Sequence, residues 1–584
     1  MHKLNKELAQ IFEEIGFIYE FLGEENKYRA TAYHNAARVL EDMPEEITEH
    51  IKNGSFIKTH GIGDSIAAKI MEYIESNKIQ AYEELKNKIP HDFIDLLKVP
   101  GLGPETLKKL HEELNISTKE QLIKALEDQT VLSVKGFKQK KIDNIINGLN
   151  QQSMFRERAI LWDAMELSDM LCRKIKEIPG VIKVETAGSI RRKKETIGDV
   201  DILVAAKEKD RKKIIETFIA REEIERVLAK GDTKASVIIK NFNKQVDLRI
   251  IDEKEWGAAL QYFTGSKPHN IHLRKLGIEK GYKLNEYGLF DATSDKLITG
   301  ESEQEVYKLL GLQFIPPELR EDTGEIEFAK QNKLPALISV EQIKGDLHCH
   351  SRWSDGINSI EEIAYYVKGN FPYEYLVITD HSKSERIAGG LTEDQLILQL
   401  KEIKKINRKL GSHFLKAGVE VDILSDGTLD FADEVLEKLD WVVASVHSQF
   451  KRDNTERIIK ACENPFVNVI GHPTGRLFGT REGYPLDMDK IIEVAAATHT
   501  ALEINAHAHR MDLNDHWVRR AKEHGVKLVI STDSHNIGNY QYMKLGVAIA
   551  RRGWCRAEDI LNTRSWKEIS GFRKKKQELI LLKK

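Results

Sequence analysis

From residue 343 onward the chain repeats one unit, a short apolar run with a polar end followed by an amphipathic stretch. The runs include Leu376-Val377-Ile378, Trp441-Val442-Val443, residues 467–470 and Leu528-Val529-Ile530. Continuous apolar runs suit strands buried on both faces, and a helix after each makes the sheet parallel. The rhythm predicts an α/β barrel, in which the strand ends converge on one face. Those ends carry Asp380-His381, Glu420, His447, His472, and Asp533 with His535. Ahead of them His348 and His350, two apart, point the same way from a strand end, with Asp355 following. Twelve of the 20 histidines lie beyond residue 340, so metal chemistry is expected in this part of the chain. Mixed imidazole and carboxylate ligands suit Mn²⁺, Zn²⁺ or Fe²⁺ better than Mg²⁺.

This set resembles the PHP (polymerase and histidinol phosphatase) family over about residues 343–575. The resemblance implies nine ligands, His348, His350, Asp355, His381, Glu420, His447, His472, Asp533 and His535, holding three Mn²⁺ or Zn²⁺ ions. It implies hydroxide attack on a phosphodiester, hence 3′→5′ exonuclease activity, with 3′-phosphatase or abasic-site endonuclease action as further options. His507 and His509 fall outside the pattern and are expected on the surface or pocket rim. The competing readings are a structural scaffold and a phosphatase for a small metabolite.

A second acidic constellation lies upstream. Gly188-Ser189-Ile190-Arg191-Arg192 precedes Gly198-Asp199-Val200-Asp201. Residues two apart on a strand share a face, so Asp199 and Asp201 can bridge two Mg²⁺ ions. Asp247 supplies a third carboxylate from the second strand of a hairpin, whose first strand is 236–240 and whose turn is 241–243. Three such carboxylates fit two-metal nucleotidyl transfer, with Ser189 and Arg192 holding the phosphates.

Residues 1–150 show helical spacing, as in Leu4, Leu8, Ile11, Phe12 and Ile15. His60-Gly61-Ile62-Gly63 and Pro100-Gly101-Leu102-Gly103 each precede a helix, Asp64–Ser76 and Pro104–Leu114. A degenerate third copy, Lys135-Gly136-Phe137-Lys138, precedes 139–149. Glycine turns at a helix N-terminus admit a phosphate to free backbone N–H groups. Lys69, Lys108 and Lys109 follow on the helices. The pattern resembles the helix–hairpin–helix module, which grips the DNA backbone through Gly61, Gly63, Gly101 and Gly103.

Over about residues 1–318 the chain resembles family X DNA polymerases. The fold this implies is multidomain: α-helical helix–hairpin–helix N-terminal domains, an α+β nucleotidyltransferase palm, and the C-terminal distorted α/β barrel. The expected units are 1–80, 81–150, palm 151–258, nucleotide-selecting 259–318, a linker at 319–342 that opens after Pro316-Pro317, and barrel 343–575. The resemblance places Gly188, Ser189, Arg192 and Gly198 at the nucleotide. It also places Tyr262 and Phe263 under its sugar, with Gly265 in the same segment, Asn270 at its base edge and Arg274 at the template. Without the family, Tyr262-Phe263-Thr264-Gly265 reads as a strand end and a turn. Lys69 stands where relatives carry a Schiff-base lysine, and Tyr33 matches a pocket residue. Ser65 replaces a lysine, however, and His34-Asn35 sits where relatives are more basic, so phosphate binding is the favoured role for Lys69. The function implied is gap filling in base-excision-type repair on gapped or primed double-stranded DNA, with dNTPs and Mg²⁺. Rival functions are a nucleotidyltransferase for RNA or a small molecule, and a DNA-end-binding scaffold.

The net charge of −3 argues against a uniformly basic surface, but 31% charged residues leave room for segregated patches. The four cysteines, Cys172, Cys349, Cys462 and Cys555, form no C-x-x-C pair, as a reducing cytosol favours. No apolar run nears the ~18 residues that span a bilayer, and residues 1–6 offer no apolar signal core. The expectation is a cytoplasmic monomer without membrane contact.

Overall fold

The computed structural model describes residues 3–43, 46–52, 62–97, 99, 102–139, 141–142, 145–146, 149, 158–240, 242 and 244–581. The N-terminal part is helical. Lys3–Leu22 and Lys27–Asp42 pack as a pair, burying Leu8, Phe12, Ile15, Ala36 and Leu40. The helices Asp64–Ser76 and Pro104–Leu114 form at the residues their spacing predicts, and their ends match. Each starts after an extended glycine, Gly63 or Gly103, and closes on a left-handed asparagine, Asn77 or Asn115. Gly61, Gly101 and the residues of the turn at 241 and 243 lie outside the described residues. Gly136 of the third copy differs in having a positive φ of 97°.

The palm is a five-stranded sheet. Its spatial order is Val181–Thr186, Asp199–Ala206, Gln245–Ile251, Lys234–Ile239 and Ile224–Lys230. Asp199–Ala206 and Gln245–Ile251 run parallel; the other pairs are antiparallel. The helix Leu161–Lys176 buries Leu161, Ala164, Leu171 and Ile175, one helical face, toward this sheet. Next come the helices Trp256–Thr264 and Lys267–Glu279 and a three-stranded antiparallel sheet over 282–299. Tyr262 and Phe263 thus end a helix, not a strand. The apolar Trp256–Leu260 stretch buries Gly257, Ala258, Ala259 and Leu260 together, and that continuous burial conceals the helical period.

Residues 319–342 do not behave as the expected linker. They include the helix Glu325–Lys330, and Arg320, Glu325, Ile326 and Ala329 are buried. Polar anchors hold the stretch: Arg320 pairs with Glu303 at 2.7 Å and Glu325 with His269 at 2.6 Å. Isolated anchors of this kind leave no periodicity to read.

Seven parallel strands follow in sequential order, from Gly345–Asp346 to Leu528–Ser531. Cys349 and Ser534 bridge the first to the last, and His350 N–H donates to the Ser534 carbonyl at 2.8 Å, closing the barrel. The final helix, Trp566–Leu581, extends past the expected boundary at 575 and buries Lys576 and Ile580. Among the described residues no helix is long and apolar enough to cross a membrane.

Candidate active sites in the palm and the barrel

In the palm, Asp201 and Asp247 are register partners on the two parallel strands, and Asp199 stands two residues before Asp201. Ligand atoms of all three lie within 4.8 Å of one another. Burial first, then the charges of Asp199 and Asp247, push the Asp201 carboxyl up to about 7. Asp247 accepts from Ser236 Oγ and from Gln245 Nε2 at 3.2 Å, which aims it at its neighbours. Carboxylates crowded this way call for cations, so the residues fit hard divalent ions.

A cleft of about 420 Å³ opens beside them, lined by Gly188, Ser189, Arg192, Asp199, Asp201, Tyr262, Phe263, Gly265, Asn270 and Arg274. Thr264 and Lys267 line it too, although neither was expected. Gly198 is not in the lining. Gly188 has φ +59°, and a Cβ there would stand 2.1 Å from Asp201 Oδ2, so glycine lets this turn approach the carboxylate. Asn270 accepts from Gln261 and donates one N–H to the Tyr262 carbonyl, both at 2.7 Å, leaving its second N–H for the cleft. Tyr262 and Phe263 meet edge to face at 5.2 Å, and Arg249 lies over the Phe263 ring.

At the helical end, Gly63 and Gly103 have ordinary φ, and nothing lies within 4 Å of where a Cβ would stand. The fold itself does not need glycine there; the open space faces outward. Lys69 lies over Tyr33 and donates to Ser65 Oγ at 3.1 Å.

In the barrel, Glu420 is the hub. Its oxygens lie 2.9–3.5 Å from nitrogens of His348, His350, His381, His447 and His472. Asp355 pairs with His535 at 3.3 Å and Asp533 with His350 at 3.2 Å. Four groups able to hold a metal result among the described residues of the barrel: His350, Asp355, His381 and His535; His348, His350 and Asp533; His381, Glu420 and His447; and Glu385, Asp422 and His447. His472 joins through Glu420. The Nδ1 atoms of His350 and His472 are buried without a hydrogen-bond partner. Shared ligands and orphaned imidazole nitrogens fit a multinuclear metal centre. Two of the ligands, His472 and Asp533, adopt positive φ, 27° and 52°, a strain typical of functional sites. His348, His381 and His447 hold the Glu420 carboxyl well below its usual range despite burial, which acts the other way.

Four acidic residues stand behind this shell, and of them only Asp380 was singled out in the sequence. Glu503 pairs with His348 Nδ1 at 2.7 Å and accepts from His472 N–H. Asp422 pairs with His447 Nδ1. Asp346 accepts from His348 N–H and Thr532, and Asp380 from Ser351, Ser354 and Gln399. Asp380 thus holds the loop and belongs to none of the ligand groups. Glu503 has a signal, lying two residues before Asn505 at the end of the run Ala501–Asn505; the partner of such a residue is not legible locally. His507 and His509 are also outside the groups, their rings tilted 6.0 Å apart, with His507 edge-on to Tyr542 at 5.4 Å. Arg510 Nε lies 3.2 Å from Asp533, and Arg38 of the N-terminal helices reaches Asp355 at 3.5 Å.

Models of four known families match the chain: a helix-hairpin-helix domain over 3–79, a SAM-like helix-hairpin-helix tandem over 93–151, the DNA polymerase beta palm over 163–253 and the DNA polymerase beta thumb over 259–321. The DNA polymerase/3′-5′ exonuclease PolX of Bacillus subtilis (strain 168) is 39% identical over 581 residues, 98% of this chain and all of that protein. A probable phosphatase of Acetivibrio thermocellus is 30% identical over 202 residues, 32% of this chain and 78% of its own. DNA polymerase lambda of Arabidopsis thaliana is 27% identical over 54% of this chain and 62% of its own.

Proposed function

This chain belongs to the family of the bacterial DNA polymerase/3′-5′ exonuclease PolX, and from that premise we propose how its two centres divide the work. It is a DNA polymerase with DNA-binding helix-hairpin-helix modules and a metal-dependent phosphoesterase barrel. In our reading it fills short gaps in double-stranded DNA during repair, as a monomer, and trims 3′ ends in the barrel. In the same reading the units keep the bounds proposed from the sequence, except that 319–342 belongs with the thumb and barrel and the barrel unit runs on through the helix Trp566–Leu581.

Asp199, Asp201 and Asp247 would hold two Mg²⁺ ions. Bound there, the cations would acidify the primer 3′ hydroxyl and neutralise the triphosphate. Ser189 and Arg192, with the Gly188 turn, hold the phosphates; Gly198 sets the turn into the carboxylate strand. Tyr262 and Phe263 crowd the sugar 2′ position, beside Gly265. Asn270 offers its spare N–H to the nucleotide, and Arg274 faces the template. Gly61, Gly63, Gly101 and Gly103 admit DNA phosphates, and Lys69 binds a phosphate.

In the barrel the nine expected ligands would hold three Mn²⁺ or Zn²⁺ ions, which would supply hydroxide and charge neutralisation for phosphodiester hydrolysis. Glu503 and Asp422 fix the orientation of His348 and His447, as carboxylates behind metal-bound imidazoles do. The observation that carries the reading is that the two acidic clusters sit in different places: one opens on a cleft lined by Ser189, Arg192, Lys267 and two aromatic rings, the other sits at barrel strand ends. Assaying Asp247→Ala and His348→Ala on gapped and 3′-ended DNA tests it; the reading requires that each variant lose one activity only.

A further inference from the structure

Two arginines of the barrel grip the palm loop that carries Arg192. Arg476 pairs with Glu195 through two bonds, 2.6 and 3.1 Å. Arg552, at the end of the helix Met543–Arg552 and only 6% exposed, donates to the Arg192 carbonyl at 2.8 Å and to the Glu321 carboxylate at 3.0 Å. Its other arm donates to Asp515 at 2.5 Å. The same oxygen of Glu321 accepts from Arg192 Nε at 3.1 Å, while Arg192 NH1 donates to the Thr264 carbonyl. Charges of alternating sign therefore run from Asp515 through Arg552 and Glu321 to Arg192, from the barrel to the wall of the nucleotide cleft.

We propose that Arg552 and Glu321 are positioning residues for nucleotidyl transfer, which hold the Arg192 guanidinium ready for the triphosphate of the incoming nucleotide and so make the barrel part of the polymerase site. The inference rests on the reading that Arg192 meets the triphosphate. Glu321 alone would pair fully with Arg192, drawing the guanidinium from the cleft and cancelling its charge. Shared between two guanidinium groups, Glu321 orients Arg192 and leaves the cleft end of the chain positive. Burial favours a protonated Glu321, but Arg552 and Arg192 keep its carboxyl below the ordinary range. The Arg476–Glu195 pair holds the loop separately, so Arg552 governs the direction of one side chain more than the course of the backbone.

The test uses the full-length chain, primer extension with dNTP titration, 3′-end digestion and thermal melting. Arg552→Met and Glu321→Gln should each raise the dNTP KM roughly tenfold, as misplacement of a substrate-holding group does, with kcat little changed. Arg552→Lys should recover most of the loss, and digestion should be unaltered in all three. Arg192→Lys is run alongside. If it raises KM while Arg552→Met and Glu321→Gln do not, the positioning role is overturned and the reading of Arg192 stands. If Arg192→Lys leaves KM unchanged, the reading of Arg192 fails and the inference falls with it. Should Arg552→Met melt below the assay temperature, the isosteric Glu321→Gln decides alone.

Discussion

Asp201 and Asp247 stand opposite each other on adjacent parallel strands, and desolvation, then the charges of Asp199 and Asp247, push the half-buried Asp201 carboxyl up to about 7. A site so arranged stores electrostatic repulsion that divalent cations offset. It also explains why Gly188 must lack a side chain, since any Cβ would strike Asp201.

Replacing Asp247 with alanine removes one ligand without touching the barrel. Primer extension should fall by roughly a thousandfold, the scale of losing a group that stabilises transition-state charge. Digestion of a 3′ end by the same preparation should persist. Parallel loss of both would refute two independent centres.

Glu503 makes its contacts with His348 and the His472 backbone, so Glu503→Gln should leave the barrel folded but loosen its metals. Metal affinity is expected to drop by about 10- to 100-fold. After chelation, titrating Mn²⁺ back while following the melting temperature reads this directly, because binding to the native state raises stability by mass action. A wild-type titration curve for the variant would refute the orienting role.

Tyr262 and Phe263 line the cleft, and the proposed function has them crowd the sugar. Tyr262→Ala should raise the rNTP:dNTP ratio of kcat/KM by roughly tenfold, the scale of removing a steric contact worth about 1–3 kcal/mol. An unaltered ratio for both Tyr262→Ala and Phe263→Ala would reject the steric gate.

His34 offers a pH test in the N-terminal helices. Burial lowers its pKa, but Glu13 at 2.9 Å and Glu20 at 3.4 Å outweigh that and raise it to about 9. A folded pKa above the unfolded 6.5 stabilises fully below that value, and the effect is lost as pH rises through 9. Gly16 leaves the space the ring occupies, its would-be Cβ lying 2.6 Å from His34 Cε1. The melting temperature gap between wild type and His34→Gln should therefore be widest at pH 6 and shrink by pH 10. A gap that stays constant or widens would show that the carboxylate pairs contribute nothing.

Local patterns carried far into this structure. The two glycine-led helices, the Asp199–Asp201 strand with Asp247 on its neighbour, and the barrel's strand-end histidines are all readable, because each depends on spacing within a few residues. What escaped depends on partners far along the chain. Glu503 meets His348, Arg320 meets Glu303, and Arg552 meets Glu321, and none of these residues differs from an ordinary surface charge in its own neighbourhood. The helix at 325–330 was invisible for the same reason: Glu325 is fixed by a buried histidine 56 positions earlier. Tyr262 and Phe263 show the converse case, a uniformly apolar stretch in which helix and strand look alike.

The closing bridge of the barrel has a consequence for how the protein is made. His348 and His350 emerge from the ribosome long before Asp533 and His535, yet they share ligand groups with them. Most of the barrel must therefore wait, its inward histidines and carboxylates unsatisfied, until the last strand is translated. The palm strands that precede it can pair by then, but Arg192 meets Arg552 only once the last helices exist, so synthesis delivers the DNA-joining cleft before the barrel contact that orients it.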